Sequence, residues 1–309
     1  MPAKTVLFTG GAGFIGSHVV PLLLERGYQI RIFDNMFRGD REAVARLVAG
    51  GNVELIDQDV RYGGAVQRAI RGCECVIHFA AVSINKSIAD PYESMDINMI
   101  GNHNVFAAAA DEGVRRLVFA SSASVYGEPD KLPMHEDDPL SPLTPYCISK
   151  RAGEDLLGFY QGRAGLSWIA LRFFNVYGPG QQTTAYYTSV INHFVNRLRA
   201  GRPPIIDGRG EQSMDFVHVH DVATSVVAAL ECERANLPIN VGTGIDTSIA
   251  ELARILVEAV GANVEPQFNE RDVLVSRRAA DINRAREVLG WAPTIGVKDG
   301  MIQLVHSTQ

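Results

Sequence analysis

Tyr146 and Lys150 stand four residues apart in the stretch Tyr146-Cys147-Ile148-Ser149-Lys150. On a helix that spacing puts both side chains on one face. Such a pair can do proton chemistry. A free phenol has a pKa of about 10, and lowering it to about 7 takes about 4 kcal/mol. An ammonium at about 4 Å supplies roughly that much where the effective dielectric constant is about 20. Tyr146 can then take a proton from a hydroxyl near neutral pH. Taken alone, so short a pattern is better explained as a tyrosine stacked on a lysine stem. Two other stretches shift the balance toward chemistry. Ser121-Ser122-Ala123-Ser124-Val125-Tyr126-Gly127 brings hydroxyls to the end of the strand-like run Leu117-Val118-Phe119-Ala120. Ligands of open α/β sheets bind at that edge.

The second stretch is Thr9-Gly10-Gly11-Ala12-Gly13-Phe14-Ile15-Gly16-Ser17-His18. It follows the apolar run Thr5-Val6-Leu7-Phe8 and precedes Val19-Val20-Pro21-Leu22-Leu23-Leu24. Strand, glycine turn and helix form the context of a dinucleotide-binding fingerprint. Gly10 allows the tight turn, Gly13 lets backbone approach a pyrophosphate, and Gly16 lets the helix pack on the strand. The helix N-terminus then faces the phosphates. The spacing is Gly-x-x-Gly-x-x-Gly rather than the commoner Gly-x-Gly-x-x-Gly. Ile30-Arg31-Ile32-Phe33 reads as a second strand ending in Asp34. An acid there accepts hydrogen bonds from ribose hydroxyls and repels a 2′-phosphate, which favours NAD over NADP. Arg38 pulls the other way.

Alternating strands and helices must position these groups, which predicts a parallel sheet covered on both faces. A helix is expected over 42–48 and a strand over 53–56. The acidic turn Asp57-Gln58-Asp59-Val60-Arg61 follows, with Asp59 as a helix N-cap, as a contact for an adenine amino group, or as both. Cys75-Val76-Ile77-His78-Phe79 is the next strand. His78 inside it reads as a satisfied core histidine. Ala80-Ala81-Val82-Ser83 are small enough for backbone to lie against a ligand. Residues 91–111 read as one long helix, with Asn98 buried and fixing backbone geometry. Further elements are a helix over 146–160, a strand over 168–172, a helix over 190–200 and short strands over 214–219 and 239–244. Ser248 opens a helix with a capping signal, and Gly290 closes one over 281–289. The predicted fold is α/β: a Rossmann-like doubly wound parallel sheet in residues 1–175, with later strands near 214–245 returning to it. Residues 176–309 form a smaller C-terminal substrate-binding region.

Composition bounds the function classes. The chain has 309 residues, 46% hydrophobic and 21% charged, with a formal net charge of -6. That is ordinary globular material, and without a basic block a nucleic-acid partner is not expected. No apolar run approaches the roughly 20 residues of a membrane span, so no membrane association is expected. The start of the chain leads directly into the first strand, so no signal peptide is expected. Cys73, Cys75, Cys147 and Cys232 show neither zinc spacing nor a disulfide framework. No metal site is expected, and a reduced, cytoplasmic setting is.

Together these motifs resemble the extended short-chain dehydrogenase/reductases of the NAD-dependent epimerase/dehydratase type, which act on nucleotide sugars. The resemblance spans nearly the whole chain, through Thr9 to His18, Asp34-Asn35, Asp59-Val60, His78 to Ala81, Asn98, Ser121 to Gly127, Tyr146 to Lys150, Arg172 to Gly180, Asp215 to Asp221 and Asn240 to Gly244. It implies that Tyr146 is the base, that Lys150 holds the nicotinamide ribose and tunes Tyr146, and that Ser122 binds the reacting hydroxyl. It implies NAD contacts from Gly10, Gly13, Phe14, Ile15, Gly16, Asp34, Asn35 and Arg38. Further contacts would come from Asp59, Val60, Phe79, Ala80, Ala81 and Asn98, alongside Tyr146 and Lys150. Substrate contacts would come from Ser83, Ser124, Asn175, Gln182, Arg209 and Arg271, with Asn175 and Arg271 on the diphosphate. A homodimer is implied, paired through the helices near Asn98 and after Tyr146.

The reaction follows from what is missing. Dehydratases of this type carry Asp-Glu after the position of Ser122, and decarboxylases keep the Glu. Here the residues are Ala123-Ser124. The simplest remaining reaction is 4-epimerisation of a nucleotide sugar, with a UDP-hexose or UDP-N-acetylhexosamine as substrate. Met214 replaces an arginine usual before Asp215-Phe216, leaving Arg209 or Arg271 to compensate. Gln182 stands where glucuronate epimerases carry arginine, which points to a neutral sugar. Thr183-Thr184-Ala185-Tyr186-Tyr187 matches no known specificity. The runner-up is a nucleotide-sugar dehydratase recruiting an acid from elsewhere, such as Glu128 or Cys147. A non-catalytic NAD-binding sensor is the third alternative.

Overall fold

Apolar runs buried on both faces form the centre of the molecule, as parallel strands require. The computed structural model describes residues 4–181, 189–272 and 275–307. In chain order the first half contains β1 (Thr5–Thr9), α1 (Phe14–Glu25), β2 (Gln29–Asp34), α2 (Arg41–Ala49), β3 (Val53–Asp57), α3 (Gly63–Ile70) and β4 (Cys75–His78). Then come α4 (Ile84–Ala89), α5 (Pro91–Met95), a π turn (Asp96–Ile100), α6 (Gly101–Asp111), β5 (Arg116–Ser122), α7 (Pro145–Ala164) and β6 (Trp168–Phe173). The second half holds β7 (Asn175–Tyr177), α8 (Ser189–Arg199), β8 (Ile205–Asp207), β9 (Ser213–Met214), β10 (Phe216–His218), α9 (Val219–Glu231) and β11 (Leu237–Val241). It ends with β12 (Thr247–Ser248), α10 (Ile249–Val260), β13 (Gln267–Asn269), α11 (Asn283–Leu289) and α12 (Val297–Ser307).

Seven strands form one sheet in the order β11-β6-β5-β4-β1-β2-β3. Every pairing in it is parallel. The order reverses between β1 and β4, which opens a crevice at their carboxyl ends. One face buries Val19, Val20 and Leu23 of α1 with Val222, Val226 and Leu230 of α9 and Val288 of α11. The other buries Val66 and Ile70 of α3, Val105 and Phe106 of α6, and Leu157 of α7. Each such side chain contributes about 1.5–3 kcal/mol. A third cluster joins α8, α10 and α12 around Phe194, Leu252 and Met301. The doubly wound sheet expected from the sequence is therefore present, with a smaller C-terminal layer beside it.

Three departures from expectation bear on the sheet and the site. The helix over 91–111 is continuous but contains the π turn, where Asn98 receives the Val82 N–H at 2.9 Å and donates to the Val82 carbonyl at 3.4 Å. The expected strand over 214–219 is split at Asp215. β9 pairs antiparallel with β12, β10 pairs parallel with β7, and of the later strands only β11 rejoins the large sheet. α9 was not anticipated. It lies against α1 and covers one face of the sheet.

A buried ion pair ties these layers together. Arg172 of β6 donates Nε to Glu154 Oε1 at 3.0 Å and Nη2 to Oε2 at 2.7 Å. Both side chains are under a tenth exposed. Arg172 also donates to the Tyr126 hydroxyl and the Glu136 carbonyl, and Ser121 of β5 donates to Glu154. Replacing one partner strands the other charge in the core. Glu154→Gln is expected to lower unfolding free energy by about 3–5 kcal/mol, read as a lower urea midpoint. A loss below about 1 kcal/mol would show that the pair is dispensable.

Candidate active site

The site is built from the crevice outward. Gly10 follows β1 at φ +73°, and a Cβ there would lie 2.6 Å from the Ala80 nitrogen. Only glycine lets the β1 and β4 ends approach so closely. A Cβ on Gly16 would collide with the Gly11 carbonyl, so Gly16 serves the fold of the turn itself rather than helix packing on the strand. Gly13 caps α1 in extended conformation, and no side chain takes the first-turn amides. Those amides are donors for a phosphate. Phe14 and Ile15 form the first residues of α1.

At the ends of β2 and β3 the acids are held in place. The Asp34 carboxylate accepts the Ala12 N–H at 3.2 Å and the Met36 N–H at 2.9 Å. Burial raises its pKa against these two hydrogen bonds. Asp59 is no helix N-cap, contrary to one expectation. α3 begins at Gly63 after Tyr62, with no side-chain cap. Arg61 grips Asp59 through Nε at 3.0 Å and Nη2 at 2.9 Å, and Asn35 donates to it at 2.9 Å. Burial pushes the Asp59 pKa up, but these hydrogen bonds outweigh it and hold the carboxyl below its usual range. Val60 is buried against Gly101. These elements leave the Gly turn, the Asp34 carboxylate and the α1 amides arranged as an NAD cradle requires.

α7 starts where its sequence dictates. Thr144 Oγ1 accepts the Cys147 N–H, Pro145 occupies the first turn, and Gly165 ends the helix in left-handed conformation. Tyr146 and Lys150 therefore share one face near the helix start. Lys150 is buried, with its ammonium 5.0 Å from the Phe119 ring centre and 5.4 Å from that of Tyr146. Burial pulls its pKa down to about 7. Ser122 ends β5, and its hydroxyl accepts the Ser124 N–H at 3.2 Å and the Ser124 hydroxyl at 2.9 Å.

Ser122, Tyr146 and Lys150 line one cleft of about 300 Å³. Ile15, Arg38, Phe79, Ala81, Ser83, Ser124 and Asn175 share its wall, so ten residues singled out from the sequence converge there. Arg38 donates to Ser83 at 3.3 Å. Asn175 is oriented by its amide donating to the Asp215 carbonyl at 3.1 Å. Asn98 acts through backbone, on Val82. Among the described residues no carboxylate lines the cleft. Glu128 instead accepts from Ser276 at 2.6 Å and Arg278 at 3.0 Å. Cys147 is buried with its sulfur 2.9 Å from Thr144 Oγ1.

Arg209 and Arg271 are not on the cleft wall. They line a separate depression beside β8 and β13, where Arg271 pairs with Asp207 at 3.1 Å. Arg278 reaches the cleft alongside Arg38, and sequence reasoning missed it. The doublet Arg277-Arg278 was visible, but no motif marked which arginine would turn inward. Gln182 and residues 183–187 lie outside the described residues.

A reversed strand order, a glycine turn at its crevice and a Tyr–Lys helix face beside a strand-end serine define a dinucleotide-binding short-chain dehydrogenase/reductase. The chain belongs to the NAD dependent epimerase/dehydratase family, whose model matches residues 6–242. A putative UDP-glucose 4-epimerase of Methanocaldococcus jannaschii is 36% identical over 305 residues, covering 97% of each chain. The UDP-N-acetylglucosamine 4-epimerase of Methanobrevibacter ruminantium, solved with UDP-N-acetylmuramic acid, superposes with a TM-score of 0.92 at 29% identity. It covers 100% of this chain and 99% of its own. The Thermus thermophilus UDP-glucose 4-epimerase complex with NAD gives 0.86 at 34% identity, covering 98% of both chains.

The lowered Lys150 pKa sets a pH dependence. Between about pH 7 and 10.5 the folded protein holds fewer protons at Lys150 than the unfolded chain does. Stability contributed by this residue therefore rises with pH across that window. Without NAD, wild type is expected to gain up to about 4 kcal/mol over Lys150→Met between those limits. Urea unfolding at several pH values measures this, and a constant difference would show that the ammonium stays charged in the fold.

Proposed function

We propose that this chain is an NAD-dependent nucleotide-sugar 4-epimerase acting on a UDP-hexose or UDP-N-acetylhexosamine. The observation that carries the proposal is the cleft wall: Ser122, Tyr146 and Lys150 are together, and no carboxylate accompanies them among the described residues. Elimination of water or loss of CO₂ needs further acid and base groups, whereas epimerisation needs one proton acceptor that later returns its proton. The names of the relatives support the same reaction.

When bound, NAD would supply reversible hydride acceptance at the sugar's C4. Tyr146 takes the C4 hydroxyl proton and gives it back after the 4-keto sugar has turned over. Ser122 holds the reacting oxygen. Lys150 favours the phenolate when charged and binds the nicotinamide ribose. Gly10, Gly13 and the α1 start hold the pyrophosphate, and Asp34 the adenosine ribose. Arg38, Arg278 and Asn175 give the cleft the cations and amide that suit a diphosphate. Arg209 and Arg271, in their separate depression, complete the proposed substrate contacts, with Arg271 on the diphosphate.

The chain is further proposed to act as a homodimer. Ile88, Tyr92, Ile100, Ile148 and Phe159 expose apolar side chains on α4, α5, the π turn and α7. Exposed apolar side chains on elements that pack against one another suit a second copy. A light-scattering mass near 33.7 kDa at working concentration would exclude it. A cytoplasmic setting is proposed from four cysteines that form no disulfide, with cell fractionation as its check.

The reaction is tested with NAD and a panel of UDP-hexoses in heavy water, followed by mass spectrometry. A product of unchanged mass, new retention time and no deuterium is expected, and Tyr146→Phe is expected to lose about 10²–10⁴-fold in turnover. A product lighter by one water would replace the epimerase with a dehydratase. Ligand binding with wild-type behaviour in Tyr146→Phe cells would favour a sensor.

A further inference from the structure

One buried titratable side chain takes no part in those steps. His78, at the end of β4, is 1% exposed. Its Nδ1 lies 2.6 Å from Thr9 Oγ1 and its Nε2 2.9 Å from Asn102 Oδ1. Its neighbours fix which nitrogen carries the proton. Thr9 Oγ1 accepts the Ala80 N–H at 3.4 Å and keeps its own hydrogen available for Nδ1. Asn102 donates its amide to the Ser149 carbonyl at 3.5 Å, so its oxygen faces Nε2. The imidazole is neutral, protonated on Nε2, and donates to Asn102.

The donors thus run in one direction: Ala80 to Thr9 to His78 to Asn102 to Ser149. The line ends on the Ser149 carbonyl; the hydroxyl of the same residue separately donates to the Tyr146 carbonyl at 2.7 Å and accepts from Asn98 at 3.2 Å. One end of the line is the segment that Gly10 touches. The other is the start of α7, whose first two turns carry Tyr146 and Lys150. Reversing any one bond leaves a buried donor or acceptor unmatched. His78 also stands close enough to Lys150 for their charges to oppose each other, and burial holds its pKa down to about 3. His78 is therefore the neutral member of the two.

We infer that His78 is a positioning residue, whose neutral imidazole fixes the Tyr146–Lys150 turn of α7 relative to the glycine turn that holds the cofactor. The inference rests on Tyr146 and Lys150 acting as proposed above. The charged and titratable groups around that pair are His78 from β4, Glu154 on α7 with its partner Arg172 from β6, and Arg38 and Arg278 on the cleft wall.

The test compares His78→Leu, which cuts the line, with His78→Gln, whose amide still donates to Asn102. Turnover, its pH profile, NAD affinity by calorimetry and the melting temperature are measured on each. His78→Leu is expected to lose about 10–100-fold in kcat, with the KM for the UDP-sugar within about twofold. Its acid limb should move to higher pH as the ammonium drifts from the phenol, and NAD should bind more weakly. His78→Gln should recover most of these changes. A structural role alone would lower the melting temperature of His78→Leu and leave kcat, the acid limb and NAD affinity of the folded protein unchanged, which would overturn the inference. If His78→Leu does not fold, Asn102→Ala breaks the same line and carries the same expectations. A wild-type protein that turns over neither a UDP-hexose nor a UDP-N-acetylhexosamine overturns the proposed function alone, and NAD affinity then decides the role of His78.

Discussion

Glu154 and Arg172 meet where water is absent, and neither can be there without the other. Taking a carboxylate and a guanidinium out of water costs several kcal/mol each, recovered only with good geometry and further hydrogen bonds. Here the two-pronged contact is supplemented by Ser121, Tyr126 and the Glu136 carbonyl. The consequence is positional. Ser121 is next to Ser122, and Glu154 lies one turn after Lys150 on the same helix. The strand end and helix face that make up the cleft are thereby locked in register by one charge pair beneath them.

A second buried carboxylate organises the opposite wall. Asp215 is fully buried and accepts from Thr243 N–H and hydroxyl, Gly244 N–H and Ala280 N–H. Burial raises its pKa against those four donors. Its own carbonyl receives both the backbone and the side-chain amide of Asn175. A single residue thus gathers the loop after β11, the segment leading to α11 and the cleft residue Asn175. Loops that pass through the interior need such partners, because an unmatched amide there is costly.

Much of this was legible in the sequence because it is local. Tyr146 and Lys150 are related by helical spacing, Gly10 by its turn, and the strands of the sheet by continuous apolar runs. What was not legible depends on partners distant in sequence. Asp59 looks like an N-cap until Asn35, from the loop after β2, joins the neighbouring Arg61 on its carboxylate. Arg278 enters the cleft because the chain beyond β13 returns past β9, and nothing near it in sequence says so. Asp215 breaks a predicted strand because its carboxylate has four donors waiting inside. α9 is rich in Val and Ala and carries no strong stop or start signal. Its helical state is settled by the apolar sheet face that it covers.

The order in which the chain visits its two clusters has a mechanical meaning. It leaves the large sheet after β6, returns for α9 and β11, leaves again for α10, and returns with α11 and Trp291 before α12 closes the smaller layer. A fragment ending at 175 would lose β11 and the α9 cover, leaving an apolar sheet face in water. The halves are interlaced and cannot be exchanged as separate modules between relatives. Any opening or closing of the cleft must bend several connections at once. A hinge between the two layers would have to run through each of these crossings.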